Sequence, residues 1–193
     1  PFEGWTAAAM RKAGDKAGLD SAEVASLCPG GPRDLVADFS HWADRETLKA
    51  LAPLGLESMK IRERIATGVR ARLAILTPHR EAVRRALSLL AAPQNVALGV
   101  RLLYDAVDAL WYAAGDTATD FNFYTKRGLL AGVYAATTLY WLDDRSPGAV
   151  ETHAFLDRRL AEVMAIPRMS GRLRELAARL PNPFLFFRLA RRR

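Results

Sequence analysis

Leu110–Arg127 holds more side chains able to recognise a partner than any other stretch of this chain. It reads Leu-Trp-Tyr-Ala-Ala-Gly-Asp-Thr-Ala-Thr-Asp-Phe-Asn-Phe-Tyr-Thr-Lys-Arg, two aromatic pairs around a short polar turn framed by Asp116 and Asp120. Asp120 stands where an N-cap belongs, its carboxylate ready to accept from the first free N–H groups of the next helix. Gly115 is the expected stop of the helix before it. The turn thus brings aromatics together at one helix–helix corner. Tyr112 and Phe121 are expected to close the core there. For Trp111, Phe123 and Tyr124 an exposed binding patch is weighed equally with a packed corner, because aromatics with a polar handle favour interfaces. Such a patch performs recognition, not bond chemistry.

Catalytic sets are missing. There is no Gly-rich phosphate loop, no Gly-x-Ser-x-Gly elbow and no His-Glu-x-x-His. His41, His79 and His153 lie far apart in sequence. Asp38-x-x-His41 has metal-compatible i,i+3 spacing, but a di-iron bundle needs paired Glu-x-x-His motifs and further carboxylates, and this chain has no Glu-x-x-His. Asp38 and His41 read as a polar pair on a solvated helix face, and Asp143-Asp144 as solvated turn residues. No catalytic or metal-ligating residue is assigned, and no cofactor is expected.

Gly128 and Gly132 stand four apart beside Ala131, Ala135 and Ala136. Glycine inside a helix costs about 1 kcal/mol relative to Ala, so two of them need a packing reason. Either they allow a tight crossing, such as a homodimer seam, or they form the wall of an apolar pocket. On the second reading Gly128, Gly132, Val133, Tyr134 and Ala136 line that pocket. The C-terminal stretch supplies a third kind of surface. Met169, Leu173, Leu176 and Leu180 share one helix face, with Arg172, Arg174 and Arg179 on others. Pro181-Asn182-Pro183 then leads into Phe184, Leu185, Phe186 and Phe187, followed by Arg188 and Arg191–Arg193. A basic amphipathic helix with a Phe-rich end is the pattern of an interfacial membrane segment. Its docking is assigned to Arg172, Leu176, Leu180, Phe184, Phe186, Phe187 and Arg188. Each basic residue near an anionic leaflet contributes about 1 kcal/mol, and each inserted Phe up to about 1.5–3 kcal/mol. The competing reading folds the Leu face onto the body.

These features need helices to hold them. The chain has 193 residues, half of them hydrophobic, enough for one domain with a real core. No run alternates with the strand period, and Pro and Gly punctuate the chain at helical intervals. Helices are expected near 7–16, 21–28, 33–50, 58–76, 79–91, 94–113, 121–142, 148–165, 169–180 and 184–192, an all-α fold. Ala86–Val100 and Gly128–Leu142 are uncharged runs of 15 residues each. A helix of that length spans roughly 22 Å, short of a hydrocarbon layer of roughly 30 Å, so both are expected to be buried helices. Cys28 is the single cysteine, which excludes an internal disulfide and suits a reducing compartment. The chain begins at Pro1 close to a helix start, so a further helix is expected upstream.

Charge divides the chain. Its net charge of +7 resides wholly from Arg168 onward, where eight Arg face one Glu, while residues 1–167 balance 20 basic against 20 acidic side chains. Residues 1–60 carry seven basic and nine acidic residues. Within them Thr6, the Ala17-Gly18-Leu19 turn and Asp20-Ser21 outline a helix-turn-helix. Its shape resembles the DNA-binding end of TetR-type regulators. The second helix reads Ser-Ala-Glu-Val-Ala-Ser-Leu-Cys, with Glu23, Ala25 and Leu27 where donors to phosphates and bases are needed. A nucleic-acid partner is therefore not expected. The organisation reads as a degenerate helix-turn-helix region over 1–50, a lipid-binding and dimerisation region over 51–166, and a basic membrane-binding tail over 167–193.

Together these residues resemble one family, the TetR-fold lipid-binding accessory proteins of ubiquinone (coenzyme Q) biosynthesis. The resemblance is densest in Trp-x-x-Ala-Gly-Asp-x-x-Thr-Asp-Phe-Asn-aromatic-Tyr-Thr-basic-Arg over Trp111–Arg127. It continues through Leu130-Ala131, Tyr134, Thr137-Thr138 and Asp144-x-Ser146-Pro147 to Phe155-Leu156-Asp157, with weaker similarity at Gly4-Trp5-Thr6, Ile75-Leu76-x-Pro78 and Leu87-Ser88-x-Leu90. It implies a TetR-like homodimer that is not an enzyme. Such a protein holds an isoprenoid lipid, quinone precursor or phospholipid and presents the precursor to a di-iron demethoxyubiquinone hydroxylase at a membrane. It implies a partner-facing patch at Leu110, Trp111, Asp120, Phe123 and Tyr124; animal members usually have Trp where this chain has Phe123. The implied location is peripheral on the cytoplasmic side of the inner membrane in a bacterium, or the matrix face of the mitochondrial inner membrane in a eukaryote. A ligand-responsive TetR-type repressor is the alternative from shape alone.

Overall fold

The computed structural model describes residues 4–115 and 121–179, with side chains for 4–115 and 126–165. The elements are α1 (Ala7–Ala17), α2 (Ser21–Leu27), α3 (Pro32–Leu51), α4 (Ile61–Leu76), α5 (Arg80–Leu90), α6 (Val96–Ala113), α7 (Phe121–Asp143) and α8 (Val150–Arg179), joined in part by single 3-10 turns. The fold is all-α, without a strand among the described residues.

Local chemistry sets the helix ends. The Thr6 side chain accepts from the Ala9 N–H to start α1, and Gly18 closes it at φ 73°. Asp20 and Glu23 form a reciprocal capping box at α2. Pro32 opens α3 at a position where its missing N–H costs nothing. The C-terminal region departs from expectation. Helices near 148–165 and 169–180 were expected to be separate, but α8 runs for 30 residues through Pro167. A mid-helix proline deletes one i→i−4 hydrogen bond, and here that loss does not end the backbone helix.

The main core joins α3, α4, α6, α7 and α8 with Val83 of α5, and Val36, Ala86 and Leu102 form a smaller cluster. Helix α4 threads its middle with Ile65, Val69, Leu73 and Leu76, one face repeating at helical spacing. Gly68 permits its crossing with α6, since a Cβ there would lie 2.9 Å from Leu110 Cδ2. Leu156 and Leu160 bring α8 onto the same core.

The two uncharged runs are only half buried. Helix α7 turns Leu130, Val133, Tyr134, Thr137 and Trp141 inward, but Gly128, Gly132, Leu139 and Tyr140 are exposed. Val96 and Val100, in the other run, are also exposed. No single helix among the described residues is long and apolar enough to cross a membrane.

At the N-terminal end Val24 is the buried residue of α2, resting against Gly14 of α1. The outward side chains of α2 are Ser21, Ala22, Glu23, Ala25, Ser26 and Leu27. That surface carries no cation and one carboxylate.

Candidate functional site

The amphipathic helix α5 points Val83, Ala86, Leu87 and Leu90 inward at i, i+3, i+4 and i+7 spacing. They do not reach the opposing helices everywhere. Between α3, α4, α5, α6 and α7 an apolar cavity of about 470 Å³ remains. Val96, Val100 and Leu139 line it while staying exposed, so they form an apolar rim at its mouth. Tyr104, one helical turn beyond Val100, extends this exposed apolar surface.

One place on the wall is polar. Arg72, 3 % exposed, donates Nε to Tyr134 Oη at 2.7 Å. Its Nη1 donates to Asp44, and its Nη2 to Ser40 Oγ at 3.3 Å. Arg72, Ser40 and Tyr134 all line the cavity. Burial pushes the Asp44 carboxyl above its ordinary range against the pull of Arg72. Burial also opposes the charge on Arg72, but Tyr134 and Asp44 more than offset it, so the guanidinium stays protonated. The site therefore holds a compensated ion pair.

The residues expected to contact a lipid divide at this cavity. Tyr134 lines it, but Gly128, Gly132, Val133 and Ala136 do not. Gly128 and Gly132 face outward, and a Cβ at either would meet nothing within 4 Å. Among the described residues they form neither a helix crossing nor the cavity wall. Val133 is buried in the core instead. The main contributors, α5 and the first half of α6, went unassigned in the sequence. Their period marks them as core-facing, but a gap between core faces leaves no periodic signal.

The aromatic corner is also rearranged. Leu110 is buried, and Trp111, for which an exposed patch and a packed corner were weighed equally, is 7 % exposed. Tyr112, expected to pack, is 75 % exposed. Trp111 continues the core stripe Leu102, Ala106, Val107 and Leu110, whereas Tyr112 lies a further 100° around the helix. Leu110 and Trp111 thus present no exposed face. The Trp111 indole N–H has no acceptor among the described residues, and Lys126 Nζ lies 5.7 Å from its ring. Gly115 closes the corner at φ 80°. Arg64 ties its Nη1 to the Ala114 carbonyl, and the buried Arg127 ties α7 to α6 through Asp108 at 2.6 Å. Asp120 lies outside the described residues, as do the side chains of Phe123 and Tyr124.

Two smaller expectations also change. His41 meets Asp105 across helices at 3.4 Å rather than pairing with Asp38. Asp144 is buried, not a solvated turn residue. It accepts from Ser146 N at 2.7 Å, Thr152 N at 2.9 Å and Thr152 Oγ1 at 2.5 Å. Ser146 and Thr152 together hold its carboxyl well below the usual range. No cluster of three His, Cys, Asp or Glu able to hold a metal occurs among the described residues. The membrane assignments fall outside the described set: Leu180, Phe184, Phe186, Phe187 and Arg188 entirely, Arg172 and Leu176 in their side chains.

Comparisons with known proteins bear on this geometry. Residues 96–167 match the family model described as COQ9. The "Ubiquinone biosynthesis protein COQ9, mitochondrial" of Rattus norvegicus is 38% identical over 173 residues, covering 85% of this chain and 54% of that protein. Its namesake from Homo sapiens is 36% identical over 171 residues, with 85% and 54% covered. The "Probable ubiquinone biosynthesis protein coq9, mitochondrial" of Dictyostelium discoideum is 26% identical over 188 residues, with 94% and 61% covered. The chain therefore spans about half the length of the first two relatives. Among solved structures, a TetR transcriptional regulator from Nitrosomonas europaea superposes with a TM-score of 0.65 over 80% of this chain and 85% of its own, at 19% identity. At that identity the likeness is one of fold.

Proposed function

We propose that this chain, a relative of the COQ9 proteins of ubiquinone biosynthesis, is a non-enzymatic carrier that shelters an isoprenoid lipid or quinone precursor and presents it to a di-iron demethoxyubiquinone hydroxylase at a membrane surface. The apolar cavity ringed by α3–α7 carries the reading. Its wall is nearly all hydrocarbon and its rim is apolar, which suits a ligand that partitions out of water. A carrier needs no catalytic set.

Presentation requires a membrane and a partner. The tail over 167–193 supplies the membrane contact, and the Asp120–Tyr124 segment with the exposed Tyr112 supplies the partner surface. Two copies associate through the outward face of α7, where Leu139 and Tyr140 are exposed beside the open glycines, extended by Val150 of α8. The location follows the membrane that holds the lipid: the inner membrane, on the matrix face in a mitochondrion or the cytoplasmic face in a bacterium. A repressor role is disfavoured by the uncharged and acidic outer face of α2, since DNA binding needs neutralised phosphates.

Organic extraction of the purified protein followed by mass spectrometry tests the carrier reading. A prenylated or acylated lipid is expected at near one per chain. Val100→Trp, which plugs the mouth, should lower that content while leaving the melting temperature unchanged. Wild-type protein free of extractable lipid, and equal affinity of wild type and Val100→Trp for added quinone, would overturn it.

A further inference from the structure

The polar spot on the cavity wall has one buried donor unspent. Tyr134 Oη accepts from Arg72 Nε at 2.7 Å, and no acceptor for its own hydrogen is present among the described residues. Tyr134 is only 7 % exposed. A buried hydroxyl whose hydrogen has no acceptor is costly, so its persistence calls for a reason. Ser40 Oγ accepts from Arg72 and likewise has no acceptor for its own hydrogen among the described residues, but it is only half-buried and can turn that hydrogen to water. Thr138 Oγ1 donates to the Tyr134 carbonyl at 2.9 Å, and Arg72 spends its donors on Tyr134, Asp44 and Ser40. The guanidinium also withdraws electron density from the phenol oxygen it donates to, which makes the O–H a stronger donor.

We propose that Tyr134 donates its hydroxyl hydrogen to a neutral acceptor oxygen carried by the ligand in this cavity, and so selects lipids with a carbonyl-type head over plain hydrocarbons and over anions. This rests on the carrier reading and gives the cavity a polar end. Neutrality follows from charge balance. The Arg72 charge is already met by Asp44, so a carboxylate entering the cavity would lose its hydration without gaining an unpaired cation. A neutral carbonyl loses far less hydration and satisfies the waiting donor. Quinone carbonyls and glyceride ester carbonyls share this chemistry.

The test is equilibrium displacement of the fluorophore N-phenylnaphthylamine from the full chain by methyl nonyl ketone, undecane and decanoate. Decylubiquinone and a short-chain phosphatidylcholine are titrated alongside. Wild type should bind the ketone about five- to tenfold more tightly than undecane, the worth of one hydrogen bond, and decanoate more weakly than the ketone. Tyr134→Phe should erase the ketone advantage and leave undecane affinity unchanged. Whichever of decylubiquinone and phosphatidylcholine loses affinity in Tyr134→Phe is the natural source of the oxygen. Tyr134→Phe also strips Arg72 of an acceptor, so Ser40→Ala serves as a control that loosens the same cluster but keeps the phenol; it should retain the ketone preference. Equal loss for ketone and undecane in Tyr134→Phe would make Tyr134 a packing residue, and an unchanged ketone preference would remove its donor role. Either result overturns the inference and leaves the carrier reading standing. If no probe displaces the fluorophore from wild type, or Val100→Trp displaces as wild type does, the carrier reading itself fails.

Discussion

Substituting Gly128 and Gly132 separates a solvent-facing helix from one that meets another copy. Both are exposed on α7, and a side chain at either has open space among the described residues. In the isolated chain, replacing a helical Gly by Ala gains about 1 kcal/mol from the reduced freedom of the unfolded state. At this length each kcal/mol raises the melting temperature by roughly 2–4 °C. The double Ala variant of a chain that stays monomeric should therefore melt roughly 4–8 °C higher, taking the two gains as additive. A seam between copies gives a different pattern. There Gly132→Leu inserts four carbons into a close approach, and overpacking costs about 1–3 kcal/mol at each site. A symmetric pair contains each site twice. The dimer dissociation constant should then rise by roughly 30-fold or more for a single Leu variant. Sedimentation velocity over a dilution series reads the mass, and a melt at the lowest concentration reads the chain alone. We expect Gly128→Leu and Gly132→Leu to shift toward the monomer mass without lowering that dilute melting temperature. Leu variants that keep the wild-type mass across the dilution series would refute the placement of the seam on α7.

The acid limb of stability should depend on Asp144. Its folded carboxyl titrates below its unfolded one, so its contribution is fully present above the unfolded value near pH 4 and is lost as pH falls through the folded value. Asp144→Asn should destabilise the protein at pH 7 and flatten its acid-unfolding profile; equal melting-temperature differences between wild type and variant at pH 7 and pH 2 would contradict the assignment. Leu156→Ala, in a fully buried position of α8, should cost about 2–5 kcal/mol in urea titration, and a cost under about 0.5 kcal/mol would mean α8 does not seal this core. Deleting residues 168–193 removes the chain's whole net charge and should abolish salt-sensitive flotation with anionic liposomes while solution binding to the hydroxylase persists. Phe123→Lys and Tyr124→Lys should do the reverse, and if all of these variants kept both activities, neither surface would be where it is proposed.

The helices were legible because their punctuation is local. Thr6, Asp20, Pro32 and Gly115 act through hydrogen bonds and backbone angles within a few residues. Identity misled where phase should have decided. Trp111 was left between a packed corner and an exposed patch on account of its indole, yet Leu102, Ala106, Val107 and Leu110 already fix the inward face of α6, and position 111 falls on it while 112 does not. Asp144 shows the same thing in a turn. Asp-x-Ser-Pro ahead of a helix allows a carboxylate to accept from the residues that follow, and that turn chemistry predicts a committed Asp rather than a solvated one. Gly128 and Gly132 had two candidate reasons, a seam and a pocket wall, and the cavity described here opens between α5 and α6 rather than beside them. No local signal could have located that cavity. It exists because α5 and α6 turn apolar faces toward α3, α4 and α7 without filling the space between, and their side chains look like ordinary core. The polar spot is the exception. A charged Arg72 in the middle of the apolar face of α4, in phase with Ile65, Val69 and Leu76, has to find a buried partner or leave the core. Such a cation can be picked out from sequence before any partner is known, and here its partners, Asp44 and Tyr134, stand where the cavity has its only fixed charge pair among the described residues.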